Sequence, residues 1–432
     1  MVVFKKNHFR WMIVGLLFFI TITNYIDRAS ISYAIDEMIT LFHLSDTQAG
    51  LILGAFGIGY AVTTFLGGIA VDRYGSRITL FIAVLLWSLA IMLTGLATGF
   101  LFVLITRALL GLSEGPNFPG MTRAIGDWLP KKERASALSY ALIAVPIALA
   151  IGGPIVSELI IYVSWRGMFI VLGIISLIWL PFWWFLFHNF PEQSKKVSEN
   201  ELQIIREGKN VNLLDEDTVF QERKAVKNLW PYLFSNPTLI SNYWAFFVFG
   251  YYLFFFMTWL PNYLLEHYHL HLAEIGLFTV LPWTLAAIMM WIVGRLSDYI
   301  FHKTESHRWS RSFPIWISQL IAAVCIIPII FTNDAYIAIL FISLAVGFSM
   351  SANGTFYAVN IDVAKKRAGT ALGIMDTAFA LSGFLAPAIT GWSVTVTGNF
   401  KTAFVLLAIL GVSSVIVVLL FHQPDTSKKL ES

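Results

Sequence analysis

The segment WMIVGLLFFITITNYIDRASISY, residues 11–33, carries the strongest fold signal and the strongest functional signal in the chain. Its first half, from Trp11 to Ile22, is apolar enough to enter a lipid bilayer. An acid and a base, Asp27 and Arg28, then stand side by side within the same segment. A charge near the bilayer centre costs at least about 2.5 kcal/mol, so it is retained where it faces a polar cavity. The segment therefore predicts a membrane-spanning helix with a functional charged site.

The composition of the whole chain is also that of a membrane protein. Of its 432 residues, 57% are hydrophobic, 15% aromatic and only 13% charged, whereas soluble domains carry about 25% charged residues. The net charge of +3 is too small to indicate a nucleic-acid partner. The single cysteine, Cys325, excludes an internal disulfide, and its apolar surroundings in the sequence indicate a buried structural thiol.

Apolar runs long enough to cross a hydrocarbon core of about 30 Å recur twelve times. In the first half the predicted spans are 11–33, 47–71, 78–96, 100–120, 135–161 and 167–187. In the second half they are 239–265, 273–299, 314–331, 336–360, 370–395 and 402–421. Lys and Arg concentrate in the loops on one side of this arrangement, which predicts that both termini are cytoplasmic.

One long polar stretch divides the chain into two membrane halves. We predict a six-helix bundle over residues 1–189, a cytoplasmic linker over 190–236, a second six-helix bundle over 237–422 and a cytoplasmic tail over 423–432. Within the linker, the Glu201–Arg206 and Glu222–Lys227 regions are candidates for amphipathic surface helices.

The two halves repeat each other in sequence. Gly50 near the start of span 2 corresponds to Gly276 near the start of span 8, and Asp72 at the close of span 2 corresponds to Asp298 at the close of span 8, both at an offset of 226 residues. Two further pairs of short motifs recur at offsets of 233 and 235. The sequence therefore predicts an all-α membrane protein of twelve transmembrane helices in two pseudo-symmetric six-helix bundles. Such duplicated bundles place their substrate site near the middle of the membrane, between the halves.

The loop after span 2, GGIAVDRYGSR at 67–77, resembles the signature loop of the major facilitator superfamily. Its glycines permit close helix packing, and Asp72 can accept hydrogen bonds from a neighbouring helix N-terminus. We predict that the loop holds the cytoplasmic side closed in one state and releases it in another. The alternative is a charge cluster that only sets topology. The predicted gating residues are Gly68, Asp72, Arg73, Gly75, Arg77 and, in the second half, Asp298.

Span 4 places charged residues on one face of a helix. Arg107, Gly111 and Glu114 follow helical spacing and therefore face the same side. Two helical turns separate Arg107 from Glu114 by about 10 Å, which is too far for a salt bridge between them. Each charge therefore needs a partner on another helix or a mobile proton. The alternative to a functional role is a static structural salt bridge between Arg107 and Glu114, which this separation disfavours.

Four stretches resemble, more narrowly, the anion:cation symporter family of sugar-acid, phthalate and sialin-type carriers. They are NYIDRA at 24–29, Arg107 with EGPNFP at 114–119, WLP at 128–130 and TWLPNYL at 258–264. The resemblance implies transport of an organic anion together with protons, with no other cofactor. It also implies that Arg28 binds the substrate carboxylate. The other roles that it implies are hydrogen bonding by Tyr25 and Tyr60, proton exchange by Asp27 and Glu114, and tuning of Glu114 by Arg107.

The chemistry of these side chains independently suits such roles. The planar guanidinium of arginine matches a carboxylate. A desolvated acid beside a base has two nearly balanced protonation states, as proton coupling requires. With two acids and two arginines ionised the pocket is neutral, so binding of an anion favours protonation of an acid.

Two positions depart from the pattern of sugar-acid carriers. Span 5 has Ala144, Val145 and Pro146 where those carriers tend to place an amide, and span 11 has Asp376 where we expect Asn. Our hypothesis is a larger, less hydroxylated or zwitterionic acid as substrate, with Asp376 as a third titrating site or an amine contact. Two further candidate substrate contacts complete the predicted site, Asn353 on span 10 and Tyr251 on span 7.

The first functional interpretation is a proton-coupled importer of a small organic anion. The alternatives are an uncoupled facilitator or exporter of an organic acid or zwitterionic carboxylate, and a nutrient sensor that binds without transport. The nine histidines lie outside the spans or at their ends, so we predict neither an enzyme nor a metal site. The expected partners are the organic anion, protons and lipid, and we expect a monomer. A sequon at Asn353 within a span favours a bacterial cytoplasmic (inner) membrane over a glycosylated one.

Overall fold

The computed structural model describes residues 8–207, 229–364 and 368–423, and this part of the chain is helical throughout its regular structure. The first half contains α1 (Phe9–Phe42), α2 (Asp46–Thr94), α3 (Phe100–Glu114), α4 (Asn117–Trp128) and α5 (Lys131–Leu186), followed by α6 (Glu199–Glu207). The second half contains α7 (Leu229–Ser235), α8 (Pro237–Tyr268), α9 (Leu272–Phe278), α10 (Val280–Thr304), α11 (Phe313–Phe331), α12 (Ala335–Ser351), α13 (Asn353–Ala364), α14 (Ala368–Thr397) and α15 (Lys401–Phe421). The predicted Glu222–Lys227 helix and nearly all of the tail lie outside the described residues.

Two long helices, α2 and α5, each cover two predicted spans. In each helix, one residue with non-helical backbone angles separates the two spans. In α2 the residue is Gly75, whose φ of 78° suits glycine. A Cβ at that position would also meet the Asn189 side chain at 2.3 Å. In α5 the residue is Ser164, with φ of 62°. By length and composition, nine helices among the described residues can cross a membrane. The count of twelve crossings and the side of the termini stay predictions.

Several helices start where the sequence supplies a capping side chain. Ser45 accepts a hydrogen bond from Gln48 N while the Gln48 side chain accepts one from Ser45 N, which forms a capping box before α2. Asn236 caps α8 ahead of Pro237, and Asp334 caps α12. These caps fix where the long helices enter the two bundles.

The two halves meet at one end of the molecule, which we call the outer end and define by the loops at 43–45, 269–271 and 398–400. There α2 packs directly on α14, and a Cβ at Gly57 would meet Phe384 N at 2.4 Å. Tyr33 on α1 donates a hydrogen bond to Thr279 (2.9 Å), and Thr47 and Thr395 share one of 2.9 Å. The outer end is therefore closed by contacts between the halves.

The opposite end, which we call the inner end, carries the predicted gating loops at 67–77 and around Asp298. Asp72 contacts Arg123 at 3.4 Å, and Asp298 contacts Arg311 at 3.1 Å, each pair within its own half. Both aspartates are largely exposed. In this structure each of the two loops therefore forms its ion pair within its own half. That the loops close the cytoplasmic side in another state stays a prediction.

The predicted linker helix over Glu201–Arg206 is present as α6 and is fixed to the first half. The buried Glu201 carboxylate accepts hydrogen bonds from Phe9 N (3.2 Å) and Arg10 N (3.0 Å) at the start of α1. Arg10 also forms a bidentate ion pair with Glu133 at the start of α5, at 2.9 Å for both bonds. One arginine therefore joins α1, α5 and α6.

Candidate functional site

The four charged residues predicted on spans 1 and 4 come together inside the first half. Asp27 and Arg28 lie on α1 and Arg107 and Glu114 on α3, and each is at most 1% exposed. Two acids and two arginines give this cluster no net formal charge. A neutral cluster is the arrangement in which buried charges cost least.

Arg28 and Glu114 form the central ion pair of the cluster. Arg28 Nη2 and Nε donate to the same oxygen, Glu114 Oε2, at 2.9 and 3.2 Å. The guanidinium carbon lies 4.4 Å from the ring centres of Tyr25 and Phe56 and 4.9 Å from that of Tyr60. The predicted neighbours Tyr25 and Tyr60 are therefore in place, and these aromatic faces favour the cation.

Asp27 faces a different helix from its neighbour Arg28. Adjacent residues of an α-helix point about 100° apart. Asp27 Oδ2 accepts a hydrogen bond from Ser176 on α5 at 2.9 Å. The two adjacent charges of the 24–29 motif thus serve two separate contacts instead of pairing with each other.

Arg107 lies beside the central ion pair instead of bonding to Glu114. Its Nη2 donates to the Arg28 carbonyl oxygen at 3.1 Å. We predicted for each of these charges a partner on another helix or a mobile proton, and both Arg107 and Glu114 contact α1. Several buried polar atoms in this part of the structure have no protein hydrogen-bond partner: Asp27 Oδ1, Arg28 Nη1, Arg107 Nε and Nη1, and Glu114 Oε1. Buried polar atoms normally have partners, so these atoms mark a site for a polar ligand or protons.

The second half adds a carboxylate to the same region. Tyr357 on α13 donates to Asp376 Oδ1 on α14 at 3.3 Å. Asp376 also lies within electrostatic range of Tyr25 and Tyr60 in the first half. The site therefore has a guanidinium in one half and a carboxylate in the other.

The other two predicted substrate contacts, Asn353 and Tyr251, have no observed contact with the Arg28–Glu114 ion pair in the described part of the chain. Asn353 begins α13, and its buried Oδ1 has no protein partner. The Tyr251 ring packs against Phe247 within α8, and its hydroxyl lies near Thr390 on α14. These contacts place Tyr251 in the packing between α8 and α14.

Sequence reasoning missed two residues of the site, Phe56 and Ser176. Phe56 lies one turn before Tyr60 on α2 and stacks on it at 5.5 Å, so helical spacing from Tyr60 points to it. Ser176 lies in an apolar stretch of α5 without any distinguishing pattern, and only the three-dimensional packing identifies it as the partner of Asp27.

A small apolar cavity lies between the halves, beside α1. Ile26, Ala29 and Gly152 line it from the first half and Met257 from the second. Its polar lining atoms include the hydroxyls of Tyr33 and Thr279, which bond to each other. Among the described residues, no group of three or more His, Cys, Asp or Glu side chains is placed to hold a metal ion.

Comparison with known proteins gives consistent matches along the chain. The family model described as Major Facilitator Superfamily matches residues 17–387 and 306–432. The hexuronate transporter of Bacillus subtilis (strain 168) is 32% identical over 96% of this chain and 95% of its own. The probable sulfoacetate transporter SauU of Cupriavidus necator is 33% identical over 94% of this chain and 92% of its own. A bacterial homologue of the human lysosomal transporter Spinster, solved in an inward-facing and unoccupied conformation, superposes with a TM-score of 0.79 at 16% identity, covering 97% of this chain and 98% of its own.

Proposed function

Because this chain belongs to the major facilitator superfamily, we propose that it is a proton-coupled symporter that imports a small organic anion. It is a multi-pass membrane protein of a class that transports and does not catalyse reactions. Its relatives are named as transporters of hexuronate and of sulfoacetate, which supports an organic anion as substrate. Three parts of the proposal go beyond this comparison: the coupling of transport to a proton, the class of organic anion and the direction of transport.

The observation that carries the proposal is the ion pair between Arg28 and Glu114. The Glu114 carboxylate pairs with the guanidinium that a substrate carboxylate needs. Protonation of Glu114 removes its charge and releases Arg28, which then binds the anion. Proton and substrate therefore load together, and each raises the affinity for the other.

Asp27 and Arg107 set the charge around this exchange. Asp27 is a second proton acceptor, held by Ser176 on a different helix from Glu114. Arg107 bonds to the Arg28 carbonyl oxygen beside the ion pair and keeps the cluster neutral when both acids are ionised. It thereby lowers the cost of an unprotonated Glu114 after the proton leaves.

Asp376 restricts the substrate, in our proposal, to an acid with few hydroxyl groups or with a cationic group. A third carboxylate opposite Arg28 repels a simple anion unless Asp376 is protonated or contacts a positive group on the substrate. The apolar cavity beside Ala29 offers few hydrogen bonds to hydroxyls, because Tyr33 and Thr279 already bond to each other. A buried hydroxyl without a partner is costly, so a polyhydroxylated tail fits poorly.

Transport by this proposal alternates between the closed outer end seen here and a state closed at the inner end. Both termini and the inner end face the cytoplasm, and the protein acts as a monomer in a bacterial cytoplasmic membrane. In the second state, the loops around Asp72 and Asp298 join the halves.

Uptake into proteoliposomes with an inward proton gradient tests the proposal, with labelled hexuronate and sulfoacetate as probes. We expect Arg28→Ala to abolish binding of the transported anion. Glu114→Gln should preserve exchange of internal for external anion while accumulation against a gradient is lost. Asp376→Asn should change either the range of accepted acids or the pH dependence of uptake.

Arg206→Ala on α6 is the matched control, since this exposed arginine pairs with Glu192 outside the site. Unaltered affinity in Arg28→Ala would overturn the substrate assignment. Uptake that ignores the pH gradient and survives Glu114→Gln would favour an uncoupled facilitator or exporter. Binding without any uptake would favour a sensor.

A further inference from the structure

Two carboxyl groups from opposite halves bind the same amide at the closed outer end. Asn262 on α8 donates through Nδ2 to Glu266 Oε1, one turn further along α8, at 3.0 Å. The same Nδ2 donates to Asp36 Oδ1 on α1, across the interface between the halves. Two oxygens bonded to one nitrogen lie about 5 Å apart. Closure of the outer end therefore brings Asp36 up to Glu266.

The surroundings of this pair add negative charge. The charged groups that act on Asp36 are Glu266, Glu37 and Asp46 at the start of α2, all of them acidic. On α8, His267 follows Glu266 and stacks its ring on Tyr263. Two carboxylates at this separation, partly desolvated and without a cation between them, are not both stable in the ionised form.

The side-chain oxygen of Asn262 is an independent indication that one of the two carboxyl groups carries a proton. The residue is fully buried, yet its Oδ1 has no hydrogen-bond donor among the described residues. Both neighbours act only as acceptors when ionised. A proton on either carboxyl group provides an O–H that can donate to Asn262 Oδ1 or to the other carboxylate.

We propose that the closed outer end binds one proton at Asp36, Asn262 and Glu266, and that closure of this end takes that proton from the external medium. The proton leaves water and joins a carboxylate oxygen, which neutralises one of the two charges. Glu266 is exposed and gives the proton access, whereas Asp36 is half-buried. Asp36 lies eight residues beyond Arg28, or about 12 Å along α1. The site is thus separate from the Arg28–Glu114 cluster.

The direction of the pH effect follows from the difference between the two states. The closed state holds the proton more tightly than the open state, where the two carboxyl groups are apart. Low pH therefore favours closure, and closure is lost as pH rises. One exchanged proton changes the closed-to-open ratio by up to about tenfold per pH unit.

A distance measurement across the outer end tests the proposal in the full-length protein. Cys325 is first replaced by Ala, so that spin labels attach only at the introduced cysteines. The labels are placed at Leu41→Cys on α1 and Val396→Cys on α14, two exposed positions, and the distance between them reports the separation of the halves. We expect the short-distance population to fall as the pH is raised from 5 to 8. Asp36→Asn should keep this population high at pH 8, because an amide carries no charge, and Glu266→Gln should act in the same direction.

Two control variants separate this site from other sources of pH dependence. Glu158→Gln removes an exposed acid on α5 and should leave the pH profile unchanged. Glu114→Gln removes the proton site of the proposed transport cycle but should leave a pH-dependent distance at the outer end. If Asp36→Asn and Glu266→Gln both keep the pH profile of the parent protein, the outer pair binds no proton on closure and the inference is wrong.

Discussion

A histidine at the inner end of α15 shows how burial alone controls a single side chain. His422 follows the last helix, is 1% exposed, and its Nδ1 contacts Ser312 Oγ at 2.6 Å. Burial lowers the pKa of His422 to about 3, well below its ordinary value of about 6.5. The folded protein therefore keeps this histidine neutral at pH values where the unfolded chain protonates it.

The stability contributed by His422 should depend on pH in one direction. Because the folded pKa is lowered, the contribution is complete above about pH 6.5 and is lost as the pH falls toward 3. Between pH 7.5 and 5.5 we expect the free energy of unfolding in detergent to fall by about 1.4 kcal/mol through this residue. His422→Gln should lose this part of the pH dependence, whereas His302→Gln, at an exposed position on α10, should retain it. Equal pH slopes in the two variants would contradict the assignment.

The charged residues of the site were predictable from sequence, but not all of their partners. The two-turn spacing of Arg107 and Glu114 predicted for each a partner on another helix or a mobile proton, and both residues contact α1. The partner of Asp27 was not predictable, because Ser176 lies 149 residues away in an apolar stretch. Long-range pairs of this kind follow from helix packing and leave no local pattern.

At the scale of elements, α6 connects the linker to the first membrane half. Its Glu201 carboxylate accepts two backbone N–H groups at the start of α1 and the Arg10 side chain at 3.1 Å. These bonds satisfy N–H groups that a helix start leaves without partners. The short helix is therefore held by a buried charge and not only by its apolar face.

Replacing Glu201 with Gln should loosen α6 and weaken the start of α1. Hydrogen bonds to charged groups contribute about 1.5–3 kcal/mol, so we expect a loss of about 2 kcal/mol in the free energy of unfolding. Hydrogen exchange of the α6 amides, followed by mass spectrometry, should become faster. Glu199→Gln changes an exposed acid on the same helix and should leave exchange unchanged. Exchange rates that are equal in the two variants would exclude the capping role.

The sequence predicted the positions of the helices better than their interruptions. Nine of the twelve predicted spans each follow a single helix of the described chain to within two residues, since apolar runs of this length require internal backbone hydrogen bonds in a membrane. Predicted spans 4, 8 and 10 each consist of two helices, which are separated at residues 115–116, at Thr279 and at Ala352. The interruption at Ser164 falls between predicted spans 5 and 6, although Ser164 itself is neither Gly nor Pro. Its backbone conformation depends on tertiary packing.

At the scale of the whole molecule, closure of the outer end depends on a seam of small residues between α2 and α14. A Cβ at Gly50 would meet Pro387 O at 2.6 Å, and one at Gly57 would meet Gly383 C at 2.5 Å. These contacts involve backbone atoms of the opposite half, which cannot rotate away as a side chain can. The two helices therefore approach this closely only because the seam lacks side chains.

Gly57→Ala should shift the protein toward the state that is open at the outer end. Overpacking costs about 1–3 kcal/mol, and only separation of α2 from α14 relieves it, so the closed-to-open ratio should fall at least about fivefold.

Ser157→Cys reports this change, because Ser157 is 1% exposed beneath the closed outer end, against Gly276. With Cys325 replaced by Ala, a membrane-impermeant thiol reagent should modify Ser157→Cys faster in the Gly57→Ala protein. Gly15→Ala is the control, since a Cβ there meets nothing within 4 Å. Equal rates of modification in the two proteins would mean that the seam does not limit opening, and that the hydrogen bonds at Tyr33, Thr47 and Asp36 hold the halves together by themselves.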